Sequence, residues 1–257
     1  MKHKTFQRPA GRMDASCCVF HVSFEHMKKI HRFIGNFDLT AERLLVREPG
    51  FVHQLRDVLK LAVGEQIMLC DGQGAEALCA VSAVDRSAIE VTVGSRGAGN
   101  DPERRVILYC AMLKRENFEY AVEKAVECGA AMIVPVITAH TVKLGLNLDR
   151  LKKIAQEAAE QCGRSVVPEI SASTKFRDAI KGAGDNDINY FFDAEGEEFL
   201  RAKTFTQTVG VWIGPEGGWE EFETIAAREA GFAVASLGAL VLRAETAATV
   251  AVYLAAR

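Results

Sequence analysis

The sequence predicts a small all-β module followed by a larger α/β domain with a parallel sheet. Three observations carry this. Short apolar runs of strand length, broken by Gly/Asp turns, fill the chain up to about residue 93. A stretch rich in Gly, Asn, Asp and Pro, Gly94 to Glu103, follows as the best linker in the chain. Beyond it, strand-length apolar runs alternate with amphipathic helical segments, the pattern of a parallel sheet wrapped by helices.

In chain order, residues 1–26 show no sustained periodicity and neither the apolar core of a signal peptide nor a transit-peptide composition, and are expected to be a disordered leader. Regular patterning starts at Met27, which makes Met27 a candidate biological start. The β module is expected over 27–97. Within it, Phe51, Val52, Leu55, Val58 and Leu59 recur at helical spacing behind Pro49. Gln66 to Cys70 and Ala75 to Val84 form a hairpin through Asp71-Gly72-Gln73-Gly74, and Ala88 to Val93 adds a strand; together these suggest a small barrel.

The α/β domain is expected over 103–257. Its strands are Val106 to Met112, Met132 to Ile137, Ile188 to Asp193, Val209 to Ile213 and Ala233 to Leu237. Its helices are Phe118 to Cys128, Leu148 to Cys162, Glu221 to Ala230 and Ala244 to Ala255, three of them stopping before a glycine. Each helix carries an apolar stripe, such as Leu151, Ile154, Ala155, Ala158, Ala159 and Cys162, which reads as core.

Composition narrows the function classes. No apolar run is long enough to span a bilayer, so no membrane role is expected. The 7 cysteines are scattered without a CxxC pair or zinc spacing, which reads as a reducing cytoplasm and no metal. The net charge is −3, but residues 1–60 hold 11 Lys/Arg against 6 Asp/Glu, a balance of +5 that leaves −8 for the rest. The N-terminal part could face phosphates, although a mildly basic surface is more often just a solvated face.

Ligands of open α/β sheets bind where strands end, so the turns after Ile213 and Leu237 are the informative ones. Gly214-Pro215-Glu216-Gly217-Gly218 sets three glycines and a rigid proline round one carboxylate, just before a helix. It lacks the Lys-Ser/Thr of a phosphate loop and the spacing of a dinucleotide fingerprint, and Glu216, Glu220 and Glu221 would repel a polyphosphate. A cationic sulfonium carrying an adenosine suits it better; taken alone, the turn is equally a tight connection with no ligand. In the second segment, Leu237 to Ala247, Arg243 and Glu245 break an apolar run. Singly, Glu245 or Thr246 could cap the last helix and Arg243 could pair with Glu245.

The combination is more specific. Glu160-Gln161-Cys162-Gly163-Arg164, Ile213-Gly214-Pro215-Glu216-Gly217-Gly218 and Leu242-Arg243-Ala244-Glu245-Thr246 occur in this order, accompanied by His31-Arg32-Phe33, Lys114, Glu123-Lys124-Ala125, Val142-Lys143-Leu144 and Val167-Pro168-Glu169-Ile170. From about Met27 to its C-terminus the chain resembles the bacterial 16S ribosomal RNA (uracil-N3)-methyltransferases of the SPOUT superfamily. The resemblance implies a PUA-like β-barrel that binds RNA, an α/β trefoil-knot methyltransferase domain, and a homodimer. It implies S-adenosylmethionine as cofactor and a uridine N3 in small-subunit ribosomal RNA, naked or in the assembled subunit, as methyl acceptor. The alternatives are a non-catalytic RNA-binding protein on the same fold and a SPOUT methyltransferase acting on another RNA. The chain departs from the family pattern at Ala239-Leu240, where Pro-Arg is usual, at Glu220, where a polar helix cap is usual, and at Lys60, where Arg is common.

Expected cofactor contacts are Ile213, Gly214, Pro215, Glu216, Gly217 and Gly218 on one wall, and Ser236, Leu237, Gly238, Leu242, Arg243, Ala244 and Thr246 on the other. Methyl transfer from a sulfonium needs alignment and deprotonation of the acceptor but no metal. Arg243 is the candidate to stabilise charge on the uracil carbonyls, and Glu216 or Glu245 the candidate proton acceptor or orienter of Arg243. Arg32, Arg56, Lys60, Lys114 and Arg164 are the candidate RNA contacts, Lys114 and Arg164 foremost.

Overall fold

The computed structural model describes residues 30–141, 145–199 and 206–257. The expected leader and the Val142-Lys143-Leu144 motif lie outside them.

The first layer is a five-stranded sheet of β1 (His31–Ile34), β2 (Arg43–Val46), β3 (Gln66–Cys70), β4 (Ala75–Val84) and β5 (Ile89–Ala98), in the order β1-β3-β4-β5-β2. Only β1 and β3 run parallel; the other pairs are antiparallel. Alternate residues of β4 (Ala77, Cys79, Val81) and of β5 (Ile89, Val91, Val93) point into a core with Phe33, Ile67 and Leu69. The expected helix splits into α1 (Pro49–His53) and a π turn over 54–58. Glu48 accepts from the amides of Gly50 and Phe51 and starts it; Lys60, at φ 53°, stops it, with Leu61 N–H reaching back to Leu55. Phe51, Val52 and Leu55 are thereby buried.

The expected linker starts late. β5 continues to Ala98 through Gly94 and Gly97, and a Cβ on Gly94 would lie 2.7 Å from the Leu78 carbonyl oxygen. Gly94 therefore lets two strands cross closely beside a bulge, rather than ending the sheet.

The second sheet is parallel: β6 (Arg105–Ala111), β7 (Ala130–Ile137), β8 (Glu169–Ile170), β9 (Thr174–Lys175), β10 (Ile188–Glu198), β11 (Thr208–Ile213) and β12 (Ala233–Ser236), ordered β12-β10-β11-β6-β7-β8 with β9 also on β7. Both faces are covered. Val106, Leu108 and Cys110 of β6 face α2 (Arg115–Glu127), α3 (Leu148–Cys162) and α6 (Ala244–Ala255). Ile107 and Tyr109 face α4 (Phe176–Gly182) and α5 (Glu221–Glu229), where the Tyr109 and Trp212 rings stack at 4.2 Å.

Two seams join the layers. Ile34 and Cys70, at the ends of β1 and β3, belong to the same apolar cluster as Val126 and Ala155. Ile34 N–H donates to Glu160 at 3.0 Å and its carbonyl accepts from Gln156 at 3.1 Å, so α3 completes the edge of the first sheet. Asp101, in the linker, accepts from Arg164 Nε at 2.9 Å and Ser165 N–H at 3.0 Å.

Arg164 is corrected here as an RNA contact. It is 6% exposed, and its guanidinium also donates to the carbonyls of Val126 and Ala130 at 3.2 and 2.6 Å. It closes the C-terminal end of α2 onto the linker, while Gly163, at φ 91°, turns α3 away.

Candidate active site

Both turns singled out in the sequence leave the carboxyl edge of the parallel sheet, where the strand order switches between β11 and β6. Ile213, the last residue of β11, pairs with Cys110 near the end of β6, and the Gly214–Gly218 turn follows at once. Trp219 anchors it. The indole N–H donates to the Phe192 carbonyl at 2.9 Å, and the ring stacks on Phe191 at 4.3 Å. A Cβ on Gly214 would lie 3.0 Å from that indole, so glycine is needed there to let the turn seat. Pro215 is buried while Glu216, Gly217 and Gly218 are exposed.

The Glu216 carboxylate lies at the start of α2, 3.5 Å from the Lys114 amide and 3.4 Å from the Asn117 side-chain amide, where the helix dipole favours a negative charge. On the far side of the turn, His140 from the loop after β7 sets Nδ1 3.1 Å from the Gly218 carbonyl and Nε2 2.8 Å from Glu220. Glu223, only 1% exposed, accepts from Ala139 N–H and Glu220 N–H at 3.0 Å each. These contacts tie three loops together, and the sequence reading missed all of them. Glu220-x-x-Glu223 at a helix start was the one available signal, since a Glu three residues into a helix reaches back to the cap amide.

The second wall descends from β12. Ser236 is buried and its hydroxyl accepts from Gly238 N–H at 3.2 Å, shaping a turn in which Gly238 adopts φ 106°. The chain then runs through Ala239 to Arg243, exposed except for half-buried Leu242, with Leu240 80% and Val241 90% exposed, and enters α6 at Ala244. Arg243 is exposed and pairs with no carboxylate among the described residues; it does not pair with Glu245. Glu245 is 9% exposed and its Oε2 has no hydrogen-bond partner, while Thr246 is exposed. The Cys110 thiol, fully buried, is pushed up to about 12 by desolvation and then by the nearby carboxylates of Glu216 and Glu245. The thiol is thus neutral, and the two carboxylates share its surroundings.

A methyl donor of the sulfonium class fits these residues. A Cβ on Gly218 or Gly238 would meet no atom within 4 Å, so main chain lies open on both walls. A buried carboxylate oxygen lacks a partner, and the nearby carboxylates favour a cation. Among the described residues, no group of three or more His, Cys, Asp or Glu is gathered as for a metal ion.

The remaining candidate RNA contacts scatter. Lys114 is exposed at the site rim and Lys60 is exposed on the first sheet. Arg32 is tied to Glu76 and to the Cys70 sulfur, with its side chain 15% exposed, and Arg56 is engaged by Asp57 and the Arg86 carbonyl. A cleft of about 370 Å³ lined by Arg32, Arg164, Cys128 and Cys162 lies by the C-terminal ends of α2 and α3, away from the site at the start of α2.

A parallel α/β sheet with two glycine-bearing turns at its carboxyl edge, preceded by a β module, is the layout of a PUA-bearing RNA methyltransferase. The RNA methyltransferase domain model matches residues 100–256 and the RNA methyltransferase PUA domain model matches residues 53–94. The ribosomal RNA small subunit methyltransferase E of Mesomycoplasma hyopneumoniae is 30% identical over 154 residues, covering 58% of this chain and 68% of that protein. Its namesake in Synechocystis is 30% identical over 210 residues, covering 78% and 68%. The crystal structure of the Neisseria gonorrhoeae protein of that name, bound to S-adenosyl methionine, superposes with a TM-score of 0.79 at 26% identity, covering 87% of this chain and 95% of that one. The chain belongs to the RNA methyltransferase family, in the branch of the ribosomal RNA small subunit methyltransferase E proteins, and has their PUA-plus-SPOUT fold.

Proposed function

We propose that this protein transfers a methyl group from S-adenosylmethionine to N3 of a uridine in small-subunit ribosomal RNA, as a cytoplasmic homodimer. The observation that carries the reading is an arginine with no carboxylate partner among the described residues and, two residues on, a buried carboxylate with an unpartnered oxygen, both at the start of α6. The cofactor of the Neisseria relative and the names of the other relatives support the donor and the acceptor.

The donor, when bound, supplies an electrophilic methyl group. Main chain at Gly217-Gly218 and Leu237-Gly238 would hold its adenosine, and Glu216 and Glu245 would balance its positive charge. Arg243 stabilises the negative charge that spreads onto the uracil carbonyl oxygens as N3 loses its proton. Glu245 takes that proton in preference to Glu216, because Glu216 already accepts from the start of α2 whereas Oε2 of Glu245 has no donor. Lys114 at the rim meets the RNA backbone. Exposed Leu240 and Val241 support a second copy covering the site's edge. Scattered free thiols support a reducing compartment, and among the described residues no helix is long and apolar enough to cross a membrane.

The test uses small ribosomal subunits from cells lacking the gene, incubated with the protein and S-adenosylmethionine and digested to nucleosides for mass spectrometry. One N3-methyluridine per subunit is expected. Methylation of another base or atom would overturn the acceptor, and no cofactor binding by calorimetry would favour a non-catalytic RNA-binding protein.

A further inference from the structure

We propose that His140 is a positioning residue for the methyl-donor turn: as the imidazolium it clasps the Gly218 carbonyl and the Glu220 carboxylate at once, so cofactor affinity falls when the ring loses its proton. The inference rests on the cofactor reading above.

The geometry is specific about protonation. Both ring nitrogens face acceptors, Nδ1 the Gly218 carbonyl at 3.1 Å and Nε2 the Glu220 carboxylate at 2.8 Å. A neutral imidazole carries one N–H and can satisfy only one of them, leaving a lone pair against the other oxygen. The cation satisfies both. The charged groups facing the ring are Glu220 at the head of α5 and, further off, Glu223, whose carboxylate is already held by the Ala139 and Glu220 amides. Both favour the imidazolium, and with the Gly218 carbonyl as the largest cause the ring titrates above the ordinary histidine range. The clasp is therefore complete at and below the ordinary histidine value and is lost only as pH rises through the raised one.

Gly217 shows how closely the ring is seated: a Cβ there would lie 3.0 Å from His140 Nδ1. With His140 in place, the Gly217-Gly218 main chain is fixed between β7 and α5; without it, Gly218 at φ 76° is left to its own flexibility. The pair also accounts for Glu220 standing where a polar helix cap is usual, since its carboxylate is the partner of His140.

The experiment measures S-adenosylmethionine binding by calorimetry from pH 6 to pH 9 on the full chain, with His140→Arg and His140→Ala, and follows the His140 ring by NMR titration. Arginine keeps two donors at every pH, so His140→Arg is expected to hold its affinity on removal of the ligand's own titration. The wild type is expected to weaken relative to it by roughly 3- to 10-fold across the range, the loss of one hydrogen bond. His140→Ala is expected to be weak throughout, with the fold confirmed by its thermal midpoint. Parallel wild-type and His140→Ala profiles would overturn the clasp while leaving the cofactor reading intact. A ring that titrates at or below the free-histidine value would overturn it too. No binding at any pH, with His140 titrating high, would overturn the cofactor reading and with it the role of the clasp.

Discussion

Arg243 sits exposed on the last residue before α6 with no carboxylate partner among the described residues, so removing its guanidinium leaves no buried group there without its partner. Arg164, only 6% exposed, is the opposite case: three acceptors on the linker, α2 and β7 depend on it. Both arginines belong to sequence motifs of similar specificity, and only the structure separates the exposed one from the one buried in the fold. Arg243→Ala should lower methyl transfer by about 10²-fold or more, the usual loss when a fixed charge is removed from a transition state. Its thermal midpoint should move by no more than about 2 °C, as for a surface substitution. Radiolabelled methyl incorporation read beside thermal unfolding checks this, and near-normal turnover would reassign the role to Lys114 or a partner subunit.

At the scale of elements, α3 acts as a missing strand: Gln156 and Glu160, one turn apart, bond to the main chain of Ile34 on β1. Burial raises the Glu160 carboxyl above the usual carboxylate range, against the pull of the Ile34 amide and Gln156. A raised folded value means that ionisation costs stability. The cost is absent below the unfolded value, near 4.5, appears as pH rises past it and is complete above the folded value. Glu160→Gln keeps an oxygen for the Ile34 amide and removes that cost. It should therefore unfold at higher urea than the wild type at pH 7, with the gain vanishing below pH 4. Equal midpoints at both pH values would show that the carboxylate is relieved by water.

Most strands and helices were legible before the structure because apolar period and glycine stops are local signals; β3, β4, α3 and α6 fall where the pattern puts them. The misses have physical causes. Helix α4 was overlooked because its seven residues bury only Phe176 and Ala179, too short a stripe to show a period. β10 runs past Asp193 because a bulge restores its pairing with β12. Gly196 makes this possible, since a Cβ there would lie 2.4 Å from the Ala235 main chain. Of the site, both walls were readable as glycine-bearing turns after strands. The His140, Glu220 and Glu223 contacts were not, because they join residues about 80 positions apart.

At the scale of the whole molecule, the two sheets share a core cluster through Ile34 and Cys70 and a polar seam through Asp101, Arg164 and Glu160, so they should unfold together. The methyl-donor turns lie only in the parallel sheet, yet binding there should stabilise the entire chain. At 100 times its dissociation constant the cofactor adds about 2.7 kcal/mol, a rise of roughly 5–10 °C in one calorimetric transition. Both tryptophans, Trp212 and Trp219, belong to the parallel-sheet unit, so their fluorescence reports that unit alone while calorimetry reports both. In the wild type the two midpoints should coincide with and without cofactor. Arg164→Ala weakens the seam: Asp101 keeps its bonds from Ser165 and Ile34 its bond to Glu160, but the guanidinium that ties Asp101 to the Val126 and Ala130 carbonyls is gone. The midpoints should then part, with the fluorescence transition alone moving on cofactor addition. If the wild type already shows two calorimetric transitions, the seam does not couple the sheets, and Arg164 serves only to end α2.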